Sequence, residues 1–146
     1  MIIIVDTNVI ISACLNKQSD LFRLLKSYNQ KIDFVLPEYA LEEINNHKMR
    51  VCYKSKVDLD LFNENLFNLV HFMNLLSYKE LNREIITKAH ELTSDIDKKD
   101  TIFVAFSLAL DALIWTGDLK LYKALRRMSF NNIITTKELK QIIKGI

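Results

Sequence analysis

The sequence predicts an α/β fold of three layers, an α/β/α sandwich in which helices cover both faces of a mostly parallel sheet of four to five strands. Short apolar runs alternate with longer amphipathic segments along the whole chain. Runs without polar alternation are typical of strands buried on both faces, and strands that alternate with helices favour a parallel sheet. The chain has only two glycines and one proline, so no linker or low-complexity segment is expected.

Five apolar runs, rich in Ile, Val, Leu and aromatic residues, are predicted as the strands. In chain order they are Ile2–Val5, Ile32–Leu36, Leu75–Tyr78, Ala112–Trp115 and Asn132–Ile134. All are bounded by polar or turn residues, as short buried strands are. The first run is the most apolar, and we expect it in the middle of the sheet.

The helices are predicted from apolar periodicity and from cap residues at their starts. Pro37 suits the first position of a helix, and Thr135 with Glu138 forms a capping box. The polar segment 94–99 is predicted as a loop. The predicted helices are Val9–Leu15, Leu21–Tyr28, Pro37–Lys54, Leu59–Phe72, Asn82–Leu92, Thr101–Leu110, Leu119–Met128 and a last one after Thr135.

Length and composition bound the functional class. The 146 residues, 49% of them hydrophobic, match one domain over 1–146 with a sizeable core. The net charge of +2 neither requires nor excludes nucleic acid. Cys14 and Cys52 lack CxxC spacing, so a metal knuckle or disulfide framework is not expected. No apolar run reaches membrane-spanning length, and the first strand is too short for a signal peptide. We therefore expect a cytoplasmic protein with no membrane partner.

Acidic residues follow two of the predicted strands. Asp6 ends the first strand, and Asp118 follows the fourth after a short turn. Asp100 opens the helix that leads into that fourth strand. Because the carboxyl ends of parallel strands meet at one edge, we expect these three side chains near one common point. Asp also caps helices routinely, so each acid alone has a structural explanation.

The helix after Pro37 offers a further acid. Glu38, Glu42 and Glu43 compete for this place. Glu43 flanks the buried stripe of the helix, whereas Glu42 points nearly opposite it. Glu43 is therefore the expected inward acid, and His47, one turn later on the same side, either orients it or packs.

Several carboxylates in one cleft indicate a hard divalent cation. They cannot all remain ionised together without a counter-charge. Mg²⁺ accepts oxygen ligands from a few carboxylates, and such sites perform phosphoryl chemistry. Two glycines exclude a GxGxxG or Walker-type phosphate loop, and no Ser-His-Asp or Cys-His arrangement is visible.

Four acid-bearing blocks resemble the PIN-domain ribonucleases, a family that includes the VapC toxins of toxin–antitoxin pairs. The blocks are IIIVDTNVIIS at 2–12, LPEYALEEI at 36–44, DKKDTIFVA at 97–105 and IWTGD at 114–118. The resemblance implies a PIN-like sandwich and a Mg²⁺- or Mn²⁺-dependent endoribonuclease. It also implies that the chain forms a homodimer, cuts RNA and, as a toxin, binds an antitoxin protein across the cleft.

The resemblance also implies the site residues. The catalytic and metal-binding acids would be Asp6, Glu43, Asp100 and Asp118. Asn8 and Thr116 match polar positions that support the metal site. Asp97, close to Asp100 in the chain, is either a further ligand, an alternative to Asp100 or a simple loop charge. Basic residues after Asp118 are candidates for RNA contact or, alternatively, a solvated helix face; they are Lys120, Lys123, Arg126 and Arg127.

Three alternatives to a ribonuclease remain at the level of sequence. The first is a PIN-like module that has the same fold and binds RNA or protein, but cleaves phosphodiester bonds weakly or not at all. A phosphatase of the haloacid-dehalogenase type would need a second acid where Asn8 stands. A nuclease for DNA flaps would need a helical arch, which this short chain does not show.

Overall fold

A computed structural model describes all residues from Met1 to Ile146. It has five strands in one parallel sheet, in the order β3-β2-β1-β4-β5. The strands are β1 (Ile2–Val5), β2 (Asp33–Pro37), β3 (Asn74–Leu76), β4 (Leu113–Trp115) and β5 (Ile133–Ile134). The helices are α1 (Thr7–Leu15), α2 (Asp20–Tyr28), α3 (Glu38–Ser55), α4 (Leu59–Val70), α5 (Arg83–Leu92), α6 (Thr101–Leu110), α7 (Leu119–Arg127) and α8 (Thr136–Lys144). The α/β class is confirmed.

Strand β1 lies at the centre of the sheet. It pairs in parallel with β2 on one side and with β4 on the other. Ile3, Ile4 and Val5 are completely buried, because neighbours cover both edges of the strand and helices cover both faces. This burial explains why the strand is uniformly apolar rather than alternating.

The helices pack in two groups around the sheet. Helix α1 contacts α2, α3 and α4, whereas α5 packs on α6, which contacts β1, β2 and β4. Large side chains fill the core between these elements, among them Phe34 and Trp115, whose ring centroids lie 6.0 Å apart. No helix is both long and apolar enough to cross a membrane.

The structure differs from the sequence predictions at three places. Pro37 is the last residue of β2 and the N-cap of α3 rather than its first residue. Strand β3 is shorter than predicted, and Tyr78–Glu80 forms a 3₁₀ turn beside it. The end of the predicted loop 94–99 joins a second 3₁₀ turn, Lys98–Asp100. The capping box of Thr135 and Glu138 is present.

Candidate active site

Asp6 lies at the carboxyl end of the central strand and is only 6% exposed. Its Oδ1 accepts a 2.8 Å hydrogen bond from the backbone N–H of Thr7, and its Oδ2 accepts one of 2.7 Å from the Thr116 hydroxyl. Burial, and then charge repulsion from Asp118 and Glu43, raise the pKa of Asp6 to about 6, although these hydrogen bonds lower it. The Thr7 hydroxyl is buried beside it without a hydrogen-bond partner.

The turn after β4 is tied to the turn after β1. Thr116 donates to Asp6 and accepts a 3.0 Å hydrogen bond from the backbone N–H of Asp118. Asn8 Oδ1 accepts a 3.2 Å hydrogen bond from the backbone N–H of Gly117. These bonds hold the two acid-bearing turns together at the edge of the sheet.

The acids at this edge differ in whether their side chains cap the helices that follow them. Asp6 caps α1, and Asp118 Oδ1 caps α7 by accepting from the N–H groups of Lys120 at 2.9 Å and Leu121 at 3.2 Å. Capping and membership of an acidic cluster thus coexist in both residues. Asp100 starts α6 but makes no side-chain cap hydrogen bond.

Asp100 is half-buried and has the most strongly raised carboxyl pKa in the chain. Its pKa is raised to about 7 by burial and then by the charges of Asp6, Asp97, Asp118 and Glu43, in that order. An acid that caps nothing while facing four other carboxylates costs stability when it is ionised. Such a placement is typical of functional sites.

Glu43 is the glutamate of α3 that reaches this cluster. It is half-buried, while Glu38 and Glu42 are exposed. Its charge contributes to the raised pKa values of both Asp6 and Asp100. His47 does not bond to Glu43, since its Nδ1 lies 3.0 Å from Nη2 of Arg50.

Asp97 is exposed and caps the Lys98–Asp100 turn through a 3.1 Å bond from the N–H of Lys99. It also raises the pKa of Asp100. Its place at the mouth of the site keeps both interpretations of Asp97, ligand and loop charge, open.

A cavity of about 600 Å³ opens at this edge of the sheet, and we call it the acidic cavity. None of the ion pairs in the chain involves its carboxylates. Its lining consists of Asp95, Ile96, Asp97, Asp100, Asp118, Lys120, Leu121, Ala124 and Arg127. Asp95 is a lining acid that the sequence analysis did not single out.

The carboxylates form an electrostatic cluster but not a closed set of metal ligands. No three His, Cys, Asp or Glu side chains are arranged to hold a metal ion in this structure. The expectation that Asp6, Asp100 and Asp118 lie near one common point stays a prediction; the structure shows the charge repulsion of Asp6 and Asp118 on Asp100 but no shared ligand arrangement. Both carboxylate oxygens of Asp6 and Oδ1 of Asp118 accept hydrogen bonds from donors of the protein.

Arg126 is placed differently from the sequence expectation. Its Nη2 donates to the carbonyl of Ile133 at 3.1 Å and to Oε2 of Glu138 at 3.3 Å, and its guanidinium lies 5.0 Å from the ring centre of Tyr122. This arginine therefore connects α7 with β5 and α8. Of its basic neighbours, Lys120 and Arg127 line the acidic cavity, whereas Lys123 is exposed outside it.

Tyr39 is a neighbour of the site that the sequence analysis did not single out. Burial raises its pKa, and so do the charges of Glu43, Asp97 and Asp100. The signal that could have identified it is its spacing, since Tyr39 stands four residues before Glu43 and residues so spaced share one helix face.

Comparisons with known proteins agree with this architecture. A protein-family model described as "PIN domain" matches residues 4–133. A search of curated proteins finds no match. The fold is similar to that of a chain in the crystal structure of VapBC2 from Rickettsia felis bound to a DNA fragment from their promoter, with a TM-score of 0.65 and 18% sequence identity. The match covers 92% of this chain and 97% of that one, and at this identity it supports the fold alone.

Proposed function

Because the chain belongs to the PIN domain family, we propose that it is a divalent-metal-dependent endoribonuclease that hydrolyses RNA phosphodiester bonds. The observation that carries the proposal is that Asp100 lies within electrostatic range of Asp6, Glu43 and Asp118. The repulsion among them contributes to pKa values of about 6 for Asp6 and about 7 for Asp100. A structural role explains the caps at Asp6 and Asp118 but not the unbonded Asp100.

The donor set fits a hard divalent cation. It offers only carboxylate and hydroxyl oxygens, and no lysine or arginine forms an ion pair with it, so its charge is left for a cation to balance. Asp6, Asp100 and Asp118 would hold Mg²⁺ or Mn²⁺, with Glu43 directly or through water and Asp97 beside or instead of Asp100. When bound, the ion would lower the pKa of a water and neutralise charge on the attacked phosphate.

The residues of the chain supply the remaining requirements. Thr116 and Thr7 fix the carboxylate of Asp6, which stays oriented in a buried position. Asp118 uses Oδ1 for its helix cap and leaves Oδ2 without a hydrogen bond. Lys120 and Arg127 line the same cavity and provide cations for RNA phosphates.

The direct test is RNA cleavage by the purified protein. We expect cleavage of single-stranded RNA with Mg²⁺ or Mn²⁺, none with EDTA, and loss of activity in Asp6→Asn and Asp118→Asn. Asp60→Asn, a change at an exposed aspartate of α4, serves as the matched control and should retain activity. Full metal-dependent cleavage by Asp6→Asn contradicts the proposed site. RNA binding without cleavage by the unmodified protein favours the inactive binding module.

The proposal extends to a toxin role for a cytoplasmic homodimer with an antitoxin partner. It is supported by family membership and by the likeness of the fold to a chain of VapBC2. We expect expression of the chain alone to arrest growth and Asp118→Ala to relieve the arrest, and we expect light scattering to give the mass of a dimer. Normal growth of cells that contain abundant folded protein contradicts the toxin role, but it does not contradict the nuclease proposal.

A further inference from the structure

A second cavity of about 250 Å³ opens next to the acidic one. Its lining combines two aromatic rings with two cations and one aliphatic side chain: Tyr39, Tyr78, Lys98, Lys99 and Ile102. We call it the tyrosine cavity. Its volume lies just below the range of pockets for drug-sized ligands, so it suits a single flat ring system.

One short turn separates the two cavities. Asp97 and Asp100, at the ends of this turn, line the acidic cavity, whereas Lys98 and Lys99 between them line the tyrosine cavity. A 3₁₀ turn places successive side chains on different sides of its axis. The same four residues thus present carboxylates to one side and ammonium groups to the other.

The tyrosines connect the two cavities electrostatically. Tyr39 is within range of Glu43, Asp97 and Asp100, whose charges raise its pKa after the larger effect of burial. Tyr78 is 47% exposed, and its pKa is raised by burial and then by Glu42 and Tyr39. The two phenol groups therefore lie close to each other, one beside the acidic cluster and the other facing solvent.

We propose that the tyrosine cavity binds one base of single-stranded RNA, the nucleotide next to the phosphate that is cut in the acidic cavity. The base lies against the rings of Tyr39 and Tyr78, and its phosphate lies at Lys98 and Lys99. This inference rests on the proposed function, because it names the part of the RNA that the nuclease holds beside its reacting bond.

The charge distribution sets the orientation of this nucleotide. Glu42 lies on the side of Tyr78 and disfavours a phosphate there, while its oxygens can accept from the amino group of a base. Lys98 and Lys99 form no ion pair within the chain, so their charges are free for a phosphate. Stacking on aromatic rings requires an unpaired base, which favours single-stranded RNA over a duplex.

Binding of a short RNA with single 2-aminopurine substitutions tests the proposal directly. The fluorescence of this base falls when it stacks, and the assay runs in EDTA, so it needs no cleavage. We expect quenching at one position of the oligonucleotide by the unmodified protein and no quenching by Tyr78→Ala. Because stacking contributes about 5- to 150-fold in affinity per base, Tyr78→Ala should raise the Kd for RNA by about 10-fold.

Matched variants separate stacking from loss of the fold. Tyr78→Phe keeps the ring and should restore both quenching and affinity. Tyr53→Ala, at a tyrosine of α3 that is 87% exposed, should leave both unchanged. Circular dichroism and thermal unfolding check that each variant is folded.

The outcomes distinguish this inference from the nuclease assignment. If the unmodified protein cleaves RNA while Tyr78→Ala has the same RNA affinity and the same 2-aminopurine quenching as the unmodified protein, the tyrosine cavity is not a base site and the nuclease proposal stands. If base-specific quenching depends on Tyr78 but no metal supports cleavage, the base site stands and the nuclease proposal fails. The base site is also overturned if all three variants bind RNA equally well and Tyr78→Ala loses the binding of a protein partner.

Discussion

The hydroxyl of Thr116 donates a 2.7 Å hydrogen bond to Oδ2 of Asp6, although 110 residues separate them in the chain. The two residues follow neighbouring parallel strands, β4 and β1, so the sheet itself brings them together. The same hydroxyl accepts from the backbone N–H of Asp118 at 3.0 Å. One buried threonine thus orients two of the candidate acids.

Replacement of this threonine tests its positioning role. In Thr116→Val the shape is retained, but Asp6 loses its hydroxyl donor and the N–H of Asp118 its acceptor. We expect a loss of about 1–3 kcal/mol in the free energy of unfolding, because buried polar groups are left unpaired. We also expect a further rise in the pKa of Asp6, measurable by NMR titration. Thr116→Ser keeps the hydroxyl and should restore both; a Val variant with unchanged stability and pKa contradicts the role.

The raised carboxyl pKa values predict how stability depends on pH in metal-free buffer. Asp6 and Asp100 titrate at about 6 and about 7 in the fold, against an ordinary value of 3.8. As pH rises, the unfolded chain therefore loses these protons at lower pH than the folded chain does. The free energy of unfolding consequently falls as pH rises from about 4 through 7. Asp20 and Glu138 have lowered pKa values, so the stability they contribute is present at higher pH and is lost on acidification.

We expect the free energy of unfolding to fall between pH 5 and pH 8 and Asp100→Asn to reduce that fall. At pH 8 this variant should be more stable than the unmodified protein by about 1–3 kcal/mol, because a repelled charge is removed. Urea unfolding at a series of pH values measures it. In Asp60→Asn the free energy of unfolding should fall between pH 5 and pH 8 as much as in the unmodified protein. An Asp100→Asn variant that is less stable than the unmodified protein at pH 8 contradicts the account.

The basic residues of α7 should divide into two functional groups. Lys120→Gln and Arg127→Gln remove cations from the acidic cavity, so each should weaken RNA binding and lower the slope of log K against log salt by about one. Arg126→Gln should instead lower stability, since its guanidinium bonds to Ile133 and Glu138. Fluorescence anisotropy at several salt concentrations and thermal unfolding separate these effects. An Arg126→Gln variant with the largest change in salt slope would reverse the assignment.

The fold and part of the site follow from local sequence patterns. Uniformly apolar strands are typical of a parallel sheet. The strand then determines the position of an acid at its carboxyl end, as it does for Asp6. Glu43 was distinguished from Glu42 by its angle on α3, and the structure places it half-buried while Glu42 is exposed. In these cases one element determines the position of the residue.

Other features depend on contacts between distant elements and could not be predicted locally. Nothing near Arg126 in sequence indicates that Glu138 and the carbonyl of Ile133 bind it. Tyr39 comes within range of Asp97 and Asp100, besides Glu43 of its own helix, because the Lys98–Asp100 turn folds beside α3. The orientation of the Asp6 and Asp118 carboxylates depends on the donors that bond to each one, which pattern and spacing do not determine.

The most direct measurement of the central claim is calorimetric titration of Mn²⁺ into the metal-free protein at pH 6.5, in two buffers of different ionisation enthalpy. The account predicts binding with release of protons, because the cation must displace them from Asp100 and Asp6. It also predicts binding at least about 10-fold weaker in Asp100→Asn and in Asp118→Asn, and unchanged binding in Asp60→Asn. Absence of Mn²⁺ binding, or equal binding by Asp100→Asn, Asp118→Asn and the unmodified protein, would contradict the claim that these carboxylates form one metal site.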